Sequence, residues 1–462
     1  MTDTLDLGRA PRIHITNVGG AGMSAIATVL AEMGHRVSGH DPAADTPFLE
    51  PLRRLGVQID TGPPGPLPPV EALIVSTATP ADHPQVREAE TAGVPVVHRA
   101  AALASLSARR RTIAVAGTHG KTTTSALLAT LLAEVGQSPG WVVGARIAGL
   151  GCSAAWGGDG PFVVEADESD GTFLALTASA AIVTNVEIDH LEHWGGEAQL
   201  RAAFEQLVAS VPGPVVLCAD DPGALALVPH ATHPVTYGTG GDADYRVDAI
   251  VTERTGVRFT LQHGESVVDV AVPAAPGDHN ARNAAAAVAL AHELGVDLGV
   301  AAGAVGQFRG VARRFEVRGE VDGVVLVDGY DHLPTEVAAA LAAARGGGWR
   351  RVVCCFQPHR YSRTQALGRT FADCFEDADL LVVTGIYPAG EAPRPGVTGK
   401  AVVDSVLDAH PWKHVAWLPT LDDVVTYLST ALRPGDLCLT LGAGDLTTVP
   451  DRVLAALQGR RR

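Results

Sequence analysis

Gly117-Thr118-His119-Gly120-Lys121-Thr122 stands between an apolar run, Ile113 to Ala116, and a stretch with Leu127, Leu128, Leu131 and Leu132 at helical spacing. That is the setting of a phosphate loop. Glycines let backbone N–H groups approach phosphate oxygens, and a helix N-terminus adds partial positive charge. Lys121 is placed to reach β- and γ-phosphates, and the Thr122 hydroxyl to ligate Mg²⁺, with Thr123 behind it. A full G-x-x-x-x-G-K-T spacing would require glycine at 115, where the chain has Val115, so the loop is a shorter variant. A glycine turn with a solvated lysine is the plainer alternative, which the strand–loop–helix context disfavours.

A second apolar run, Phe162 to Val164, ends on Glu165-Ala166-Asp167-Glu168-Ser169-Asp170. A nucleotide site needs at least one carboxylate for a hard cation that prefers oxygen ligands, and this cluster of acids at a strand end can supply it, although an acidic cluster by itself is more often a solvated loop. A third run, Ala181 to Thr184, ends on Asn185-Val186-Glu187-Ile188-Asp189-His190, where His190 is a candidate for a second cation.

These residues need strands to deliver them. Ile13 to Val18, Gly19-Gly20-Ala21-Gly22, then Ile26, Leu30 and Met33 spell strand, glycine turn and helix, and a second strand ends at Asp41. The middle third repeats strand and helix and adds an alternating stretch near 244–273, expected to be a small antiparallel set. The last third alternates again, with strands expected at Val324 to Val327, Val352 to Phe356, Leu380 to Thr384 and Leu437 to Leu441. Strands alternating with helices predict parallel sheets, with ligands beyond their carboxyl ends. The expected organisation is α/β in three domains: a Rossmann-like domain at 1–108, a central ATPase-type domain with the antiparallel element at 109–312, and a Rossmann-like C-terminal domain at 313–462.

Across 462 residues, 46% are hydrophobic and 19% charged, ample for several cores. A net charge of -16 argues against broad binding to nucleic acid or an anionic membrane. The first residues carry acids and no apolar core of a secretory signal, and no apolar stretch reaches spanning length. Six scattered cysteines without a CxxC pair are expected to be reduced thiols, and the setting cytoplasmic.

Together AGTHGKTTT, EADESD, TNVEIDH and PGDHNARN resemble the Mur ligases. So do IHITNVGGAGMS at 13–24, VARRFEVRGE at 311–320, CFQPHRYSRT at 355–364, IYPAGEAP at 386–393 and LGAGD at 441–445. The resemblance spans essentially the whole chain. It implies ATP and Mg²⁺, with Mn²⁺ as a substitute, and UDP-N-acetylmuramate and L-alanine as the molecules joined through an acyl-phosphate, by a monomer or homodimer. Gly19, Gly20, Ala21, Gly22, Met23, Ser24, Asp41 and Ser76 would bind the UDP-sugar. Gly117, Thr118, His119, Gly120, Lys121, Thr122 and Thr123, with His279, Asn280, Asn283, Arg314, Asp328 and Tyr330, would hold ATP. Thr122, Glu165 and His190 would hold metal, and His332, Arg360 and Arg363 would handle the amino acid and the reacting carboxyl.

The chain departs from the family pattern in three places. The first residue of the G-x-G-G-x-G turn is Asn17, which tolerates left-handed backbone better than most residues. The acid before I-Y-x-A-G-E is Gly385. The family's D-D-Y-G/A-H-H-P-T-E becomes Asp328-Gly329-Tyr330-Asp331-His332-Leu333-Pro334-Thr335-Glu336. Leu333 carries no hydrogen-bonding group, and Asp331 adds a carboxylate among anionic substrates. The alternatives are the family member that attaches a recycled murein peptide to the same sugar nucleotide, a weakened paralogue that only binds it, and a generic P-loop kinase.

Overall fold

Short apolar runs of the first hundred residues become β1 (Arg12–Thr16), β2 (Arg36–Asp41), β3 (Gln58–Thr61), β4 (Ala72–Val75) and β5 (Val96–His98). They form one parallel sheet in the order β3-β2-β1-β4-β5. The computed structural model describes residues 4–187 and 194–459. Order reverses beside β1, and the glycine turn leaves β1 at that switch point for helix α1 (Ala21–Glu32), where sheets of this kind bind ligands. Further helices are α2 (Leu49–Arg54), α3 (Pro84–Ala92) and α4 (Arg99–Ser107).

His14 of β1 is buried, 1% exposed, with Nδ1 2.8 Å from Ser38 Oγ. Burial lowers its pKa from the ordinary 6.5 to about 4. The unfolded chain therefore binds a proton between those values that the folded chain refuses. Stability is intact above pH 6.5 and falls as the pH drops towards 4, by about 3 kcal/mol through this residue. Thermal melts at pH 7 and pH 4.5 will show that loss, and His14→Gln will flatten it; an unchanged pH slope in the variant would refute the assignment.

The central sheet includes β6 (Thr112–Ala116), β7 (Gly140–Val142), β8 (Ala154–Ala155), β9 (Phe162–Glu165), β10 (Ala178–Val183), β11 (Pro214–Cys218) and β12 (His233–Gly238). Their order is β12-β11-β10-β6-β9-β7-β8, all pairs parallel except β7–β8. Every residue of β6 is buried, as a strand covered on both faces must be. Helix α5 (Lys121–Glu134) follows, and residues from Thr122 to Leu132 are all buried. The sequence pattern suggests one apolar face for α5; the structure buries it all round, with the helix Leu298–Val305 packed against it. Three strands follow, β13 (Tyr245–Thr252), β14 (Val257–His263) and β15 (Ser266–Val272), in the stretch expected to be antiparallel.

The last sheet orders β16 (Glu316–Val321), β17 (Val324–Gly329), β18 (Arg351–Phe356), β19 (Leu380–Val383), β20 (Val415–Trp417) and β21 (Asp436–Leu441) as β16-β17-β21-β18-β19-β20. Only β16–β17 is antiparallel among these pairs. Alternate residues of β17 enter two cores: Val325 and Val327 join Leu341, Phe356 and Phe375, while Val324 and Leu326 join Leu428 and Val453. That period-two division puts helices on both faces. All six cysteines are free thiols and five are buried. Among the described residues, no helix is long and apolar enough to cross a membrane.

By contact density the chain forms two compact units. One is Met1–Asp248 with Leu261–Val268 and Arg282–Phe308; the other is Ala249–Thr260 with Asp269–Ala281 and Arg309–Arg462.

Candidate active site

In the first unit, β6, β9 and β10 end side by side and deliver three of the expected segments together. The loop after β6 takes left-handed backbone at Gly117 (φ 129°) and Gly120 (φ 80°). A Cβ at Gly117 would lie 2.1 Å from Thr184 Oγ1, and one at Gly120 would lie 2.7 Å from Asn283 Oδ1. Both positions are glycine by conformation and by space.

Asn185 fixes the loop from β10's end. Its side chain accepts from His119 N (2.8 Å) and donates to His119 O (3.0 Å), while Thr184 Oγ1 donates to the same carbonyl at 2.6 Å. Thr118 Oγ1 accepts from Glu187 N at 2.9 Å, and His119 Nε2 lies 3.3 Å from Glu187 Oε2. Thr184 and Asn185 as braces were not singled out by spacing, since their partners are about 66 residues away. Thr123 is buried in the first turn of α5. His190 lies outside the described residues.

Glu165 is clamped: Oε1 accepts from Thr122 Oγ1 at 2.7 Å, and Oε2 from Gly144 N at 2.5 Å. A hydroxyl and a carboxylate oxygen converge where a hard cation finds suitable donors, so the pair fits the metal the phosphate loop implies. Lys121 Nζ donates to Gly117 O (2.7 Å), Thr118 O (3.1 Å) and Glu168 Oε2 (2.7 Å). Burial opposes its charge, but Glu168, Asp167 and Glu165 outweigh that and raise its pKa, so it remains an ammonium. Burial raises the Glu168 pKa, with Lys121 pulling the other way. Glu168 therefore holds the lysine across the loop mouth, a duty its place in an acidic run did not single out.

Around the first sheet, Asn17 adopts φ 52°, the left-handed backbone expected of it, and its Nδ2 donates to Thr79 Oγ1 at 3.2 Å. Thr79 also meets Ser76 and Thr16, so this threonine, missed in the sequence, ties the ends of β1 and β4 together. Asp41 accepts from Gly19 N (2.7 Å) and Ala43 N (3.0 Å), and a Cβ at Gly19 would collide with it. Its carboxylate braces the turn expected to bind the sugar nucleotide. Ser24 Oγ donates to Ala21 O at 2.9 Å, within α1. Met23 is buried in the same helix.

A cavity of about 250 Å³ connects this turn to the carboxylates. Gly22 and Ala25 of α1 line one side, Glu165 and Asp167 the other, with Arg99 between them. Arg99 is ion-paired to Asp170 and lies 3.1 Å from where a Cβ of Gly22 would be. It is the cation of this cavity, and a lone arginine at a strand end gave no signal in the sequence.

In the second unit, Asp328 at the end of β17 is 1% exposed. It accepts from Thr440 Oγ1 (2.9 Å) and Thr447 Oγ1 (2.6 Å), with Arg313 Nε at 3.4 Å and Arg318 Nη1 at 3.6 Å. Burial raises its pKa against those donors. Asp328 is thus held by two threonine hydroxyls with two guanidinium groups close by, all within the second unit. Arg313 and Arg314 lie over the Tyr330 ring, 4.9 and 5.2 Å from its centroid. Tyr330 is partly exposed.

His332 Nδ1 lies 3.0 Å from Tyr330 O, and its ring is 5.3 Å from that of His359. Burial lowers both pKa values, that of His359 to about 4, so both are neutral at pH 7. Arg363 Nη1 lies 3.0 Å from His359 Nδ1. Arg360 is held at φ 66°, its N–H donating to Tyr387 O at 2.8 Å, a strained backbone at the head of a helix. Leucine at 333 cannot cap the helix Pro334–Gly346; Glu336 Oε2 accepts from His332 N (3.0 Å) and Leu333 N (3.2 Å) instead. Gly385 has no room for the family's acid, since a Cβ would lie 2.7 Å from Pro419 O. Asn280 Nδ2 donates to Pro276 O at 2.8 Å, beside half-buried His279.

Three family descriptions match consecutive stretches: the Mur ligase family catalytic domain at 12–111, the Mur ligase middle domain at 115–291, and the Mur ligase glutamate ligase domain at 313–444. The chain is 44% identical over 476 residues to a UDP-N-acetylmuramate–L-alanine ligase of Kineococcus radiotolerans, covering 98% of each chain. It is 42% identical over 454 residues to one of Anaeromyxobacter sp., covering 97% of this chain and 98% of the relative. Among solved structures it is similar to a UDP-N-acetylmuramate–alanine ligase of Thermotoga maritima, with TM-score 0.83 and 28% identity over 97% of this chain and 99% of that one.

Proposed function

The chain belongs to the Mur ligase family, and on that premise we propose that it joins L-alanine to the lactyl carboxylate of UDP-N-acetylmuramate, using ATP, as a cytoplasmic step of peptidoglycan precursor synthesis. The observation that carries the reading is the cavity running from the glycine turn of α1 to the clamped Glu165, beside the phosphate loop. A sugar nucleotide held on that turn presents its acid at the loop mouth.

A carboxylate is a poor electrophile until it carries a leaving group. Its oxygen attacks the γ-phosphorus, the bond to the ADP oxygen breaks, and an acyl-phosphate results. The amine of alanine then attacks the acyl carbon, the C–N bond forms, phosphate leaves with the electron pair, and the amine's proton goes to solvent. The loop's N–H groups and Lys121 hold the β- and γ-phosphates and meet the charge that develops. Arg99 orients the acceptor carboxylate in the cavity. Thr122 and Glu165 would hold Mg²⁺, which when bound would neutralise phosphate charge; His190 is assigned to a second ion on the resemblance alone. Asn283, beside Gly120, and His279 and Asn280, earlier in the same helix, are assigned to the nucleotide, and Tyr330 with Arg314 to stacking on it. His332, Arg360 and Arg363 are assigned to the amino acid.

The test is phosphate release and amide product with UDP-N-acetylmuramate, ATP and Mg²⁺, offering alanine, glycine, serine or a murein tripeptide. Alanine is expected to give the highest kcat/KM. Preference for the tripeptide would favour the recycling ligase, and no product above the Lys121→Ala background would leave only a binding protein.

A further inference from the structure

The first unit gathers two histidines, a glutamate and a tyrosine from three elements. Tyr245 opens β13, His263 closes β14, and His292 and Glu293 end the helix Asp278–Glu293. His292 stands about 14 Å further along that helix than Asn283, which meets the phosphate loop. A ring nitrogen of His263, a ring nitrogen of His292 and a carboxylate oxygen of Glu293 lie within 4.8 Å of one another. The Tyr245 ring stacks on His263, centroids 4.1 Å apart and planes 13° apart, and His263 meets His292 edge to face at 5.3 Å. Both histidines are half-buried and Glu293 is exposed, so an ion can reach them from solvent.

The hydrogen bonds around the rings set which nitrogen is free. His263 Nδ1 lies 2.9 Å from the Asp244 carbonyl oxygen, which can only accept, so Nδ1 carries the proton and Nε2 the lone pair. Burial, then Glu293, raises the Tyr245 pKa; the phenol keeps its proton and donates it to Glu293 Oε1 at 2.7 Å. Towards His292 Nδ1, 2.5 Å away, the Tyr245 oxygen is then the acceptor, and His292 also holds its proton on Nδ1. Nδ1–H against an oxygen, with Nε2 left bare, is how metal-bound imidazoles are oriented. Among the described residues neither Nε2 has a hydrogen-bond partner, and no cation pairs with Glu293. Glu293 also closes a helix, where the dipole disfavours an acid and favours a cation.

Two imidazoles and one carboxylate suit a borderline ion of the zinc class rather than the hard ions that take oxygen alone. Ligands of a filled tetrahedral site stand about 3.4 Å apart, so an ion would draw these three side chains closer. A rival cluster in the second unit, Asp373, Glu376 and His410, has its imidazole committed already, with His410 Nε2 2.8 Å from Asp373 Oδ1. We propose that His263, His292 and Glu293 bind a zinc-class divalent ion, with the Asp244 carbonyl and Tyr245 orienting the imidazoles, and that the ion staples β14 to the end of the helix.

Co²⁺ is the probe, added to the full chain without a histidine tag, because its visible absorption reports its ligands. The unmodified chain is expected to show the strong visible bands of a four- or five-coordinate ion, and excess Mg²⁺ should leave them in place. His263→Gln and His292→Gln should each remove the bands, and Glu293→Gln should weaken binding at least roughly tenfold. Glu165→Gln and His410→Gln should keep them. Zn²⁺ should displace Co²⁺ and raise the melting temperature of the unmodified chain, with no such rise in His263→Gln. Absence of the bands from the unmodified chain overturns the proposal and leaves the four residues a hydrogen-bonded clasp, a result that does not depend on any variant folding. Displacement by Mg²⁺, bands that survive in both histidine variants or vanish in His410→Gln, or near-ultraviolet absorption of a cobalt–thiolate bond would overturn it equally, since each puts the ion elsewhere.

Discussion

Lys121→Ala will lower kcat/KM by roughly 10³-fold or more, the range seen when a cation on a transferring phosphoryl group is lost. It will also lower stability. Glu168 is 2% exposed and has its ion pair with Lys121 at 2.7 Å, and removing one partner of a buried pair costs about 3 kcal/mol or more. The two effects separate in Lys121→Ala/Glu168→Gln. That variant should melt closer to the unmodified chain, because no buried charge is left alone, yet it should stay as inactive as the single variant. If activity returned with stability, the lysine would be a structural partner of Glu168 and the phosphate-transfer role would fall.

The second large effect is at Glu165. Its two oxygens are fixed by Thr122 and Gly144, and a Cβ on Gly144 would lie 2.9 Å from Oε2, so nothing bulkier than glycine leaves the carboxylate where it is. Glu165→Gln keeps the shape and removes the charge. Its kcat is expected to fall about 10²-fold, with the Mg²⁺ needed for half-maximal rate rising by at least tenfold, since a hard cation discriminates strongly for an anionic oxygen ligand. Melting of the metal-free chain should move little. A variant with normal Mg²⁺ dependence would reduce Glu165 to a brace for the 144 turn.

The phosphate loop was legible because its chemistry is local: glycines, lysine and threonine are consecutive, and the flanking apolar runs fix strand and helix. Asn17 was legible for the same reason, a single residue's backbone preference meeting a turn that needs it. The loop's braces were not. Thr184 and Asn185 act on His119 through the pairing of β10 with β6, and only sheet register brings those ends together. Asp41 and Asp328 read as ligand acids in sequence; that they also accept from backbone N–H groups and threonine hydroxyls of the fold itself shows only in the structure.

By itself the sequence determined the α/β class, the three successive sheets, the loop, the acidic cluster from Glu165 to Asp170 at a strand end, and the family, because periodicity and consecutive motifs survive without coordinates. Tertiary structure alone decided that α5 is buried all round, that Arg99 stands in the cavity beside Gly22, and that Lys121 rests on Glu168. Each of these is a relation of space between residues on different elements or across a turn. A linear pattern records which side chains exist; which of them share a small, poorly solvated volume, and therefore which charges must find partners, is set only when the sheets and helices close around it.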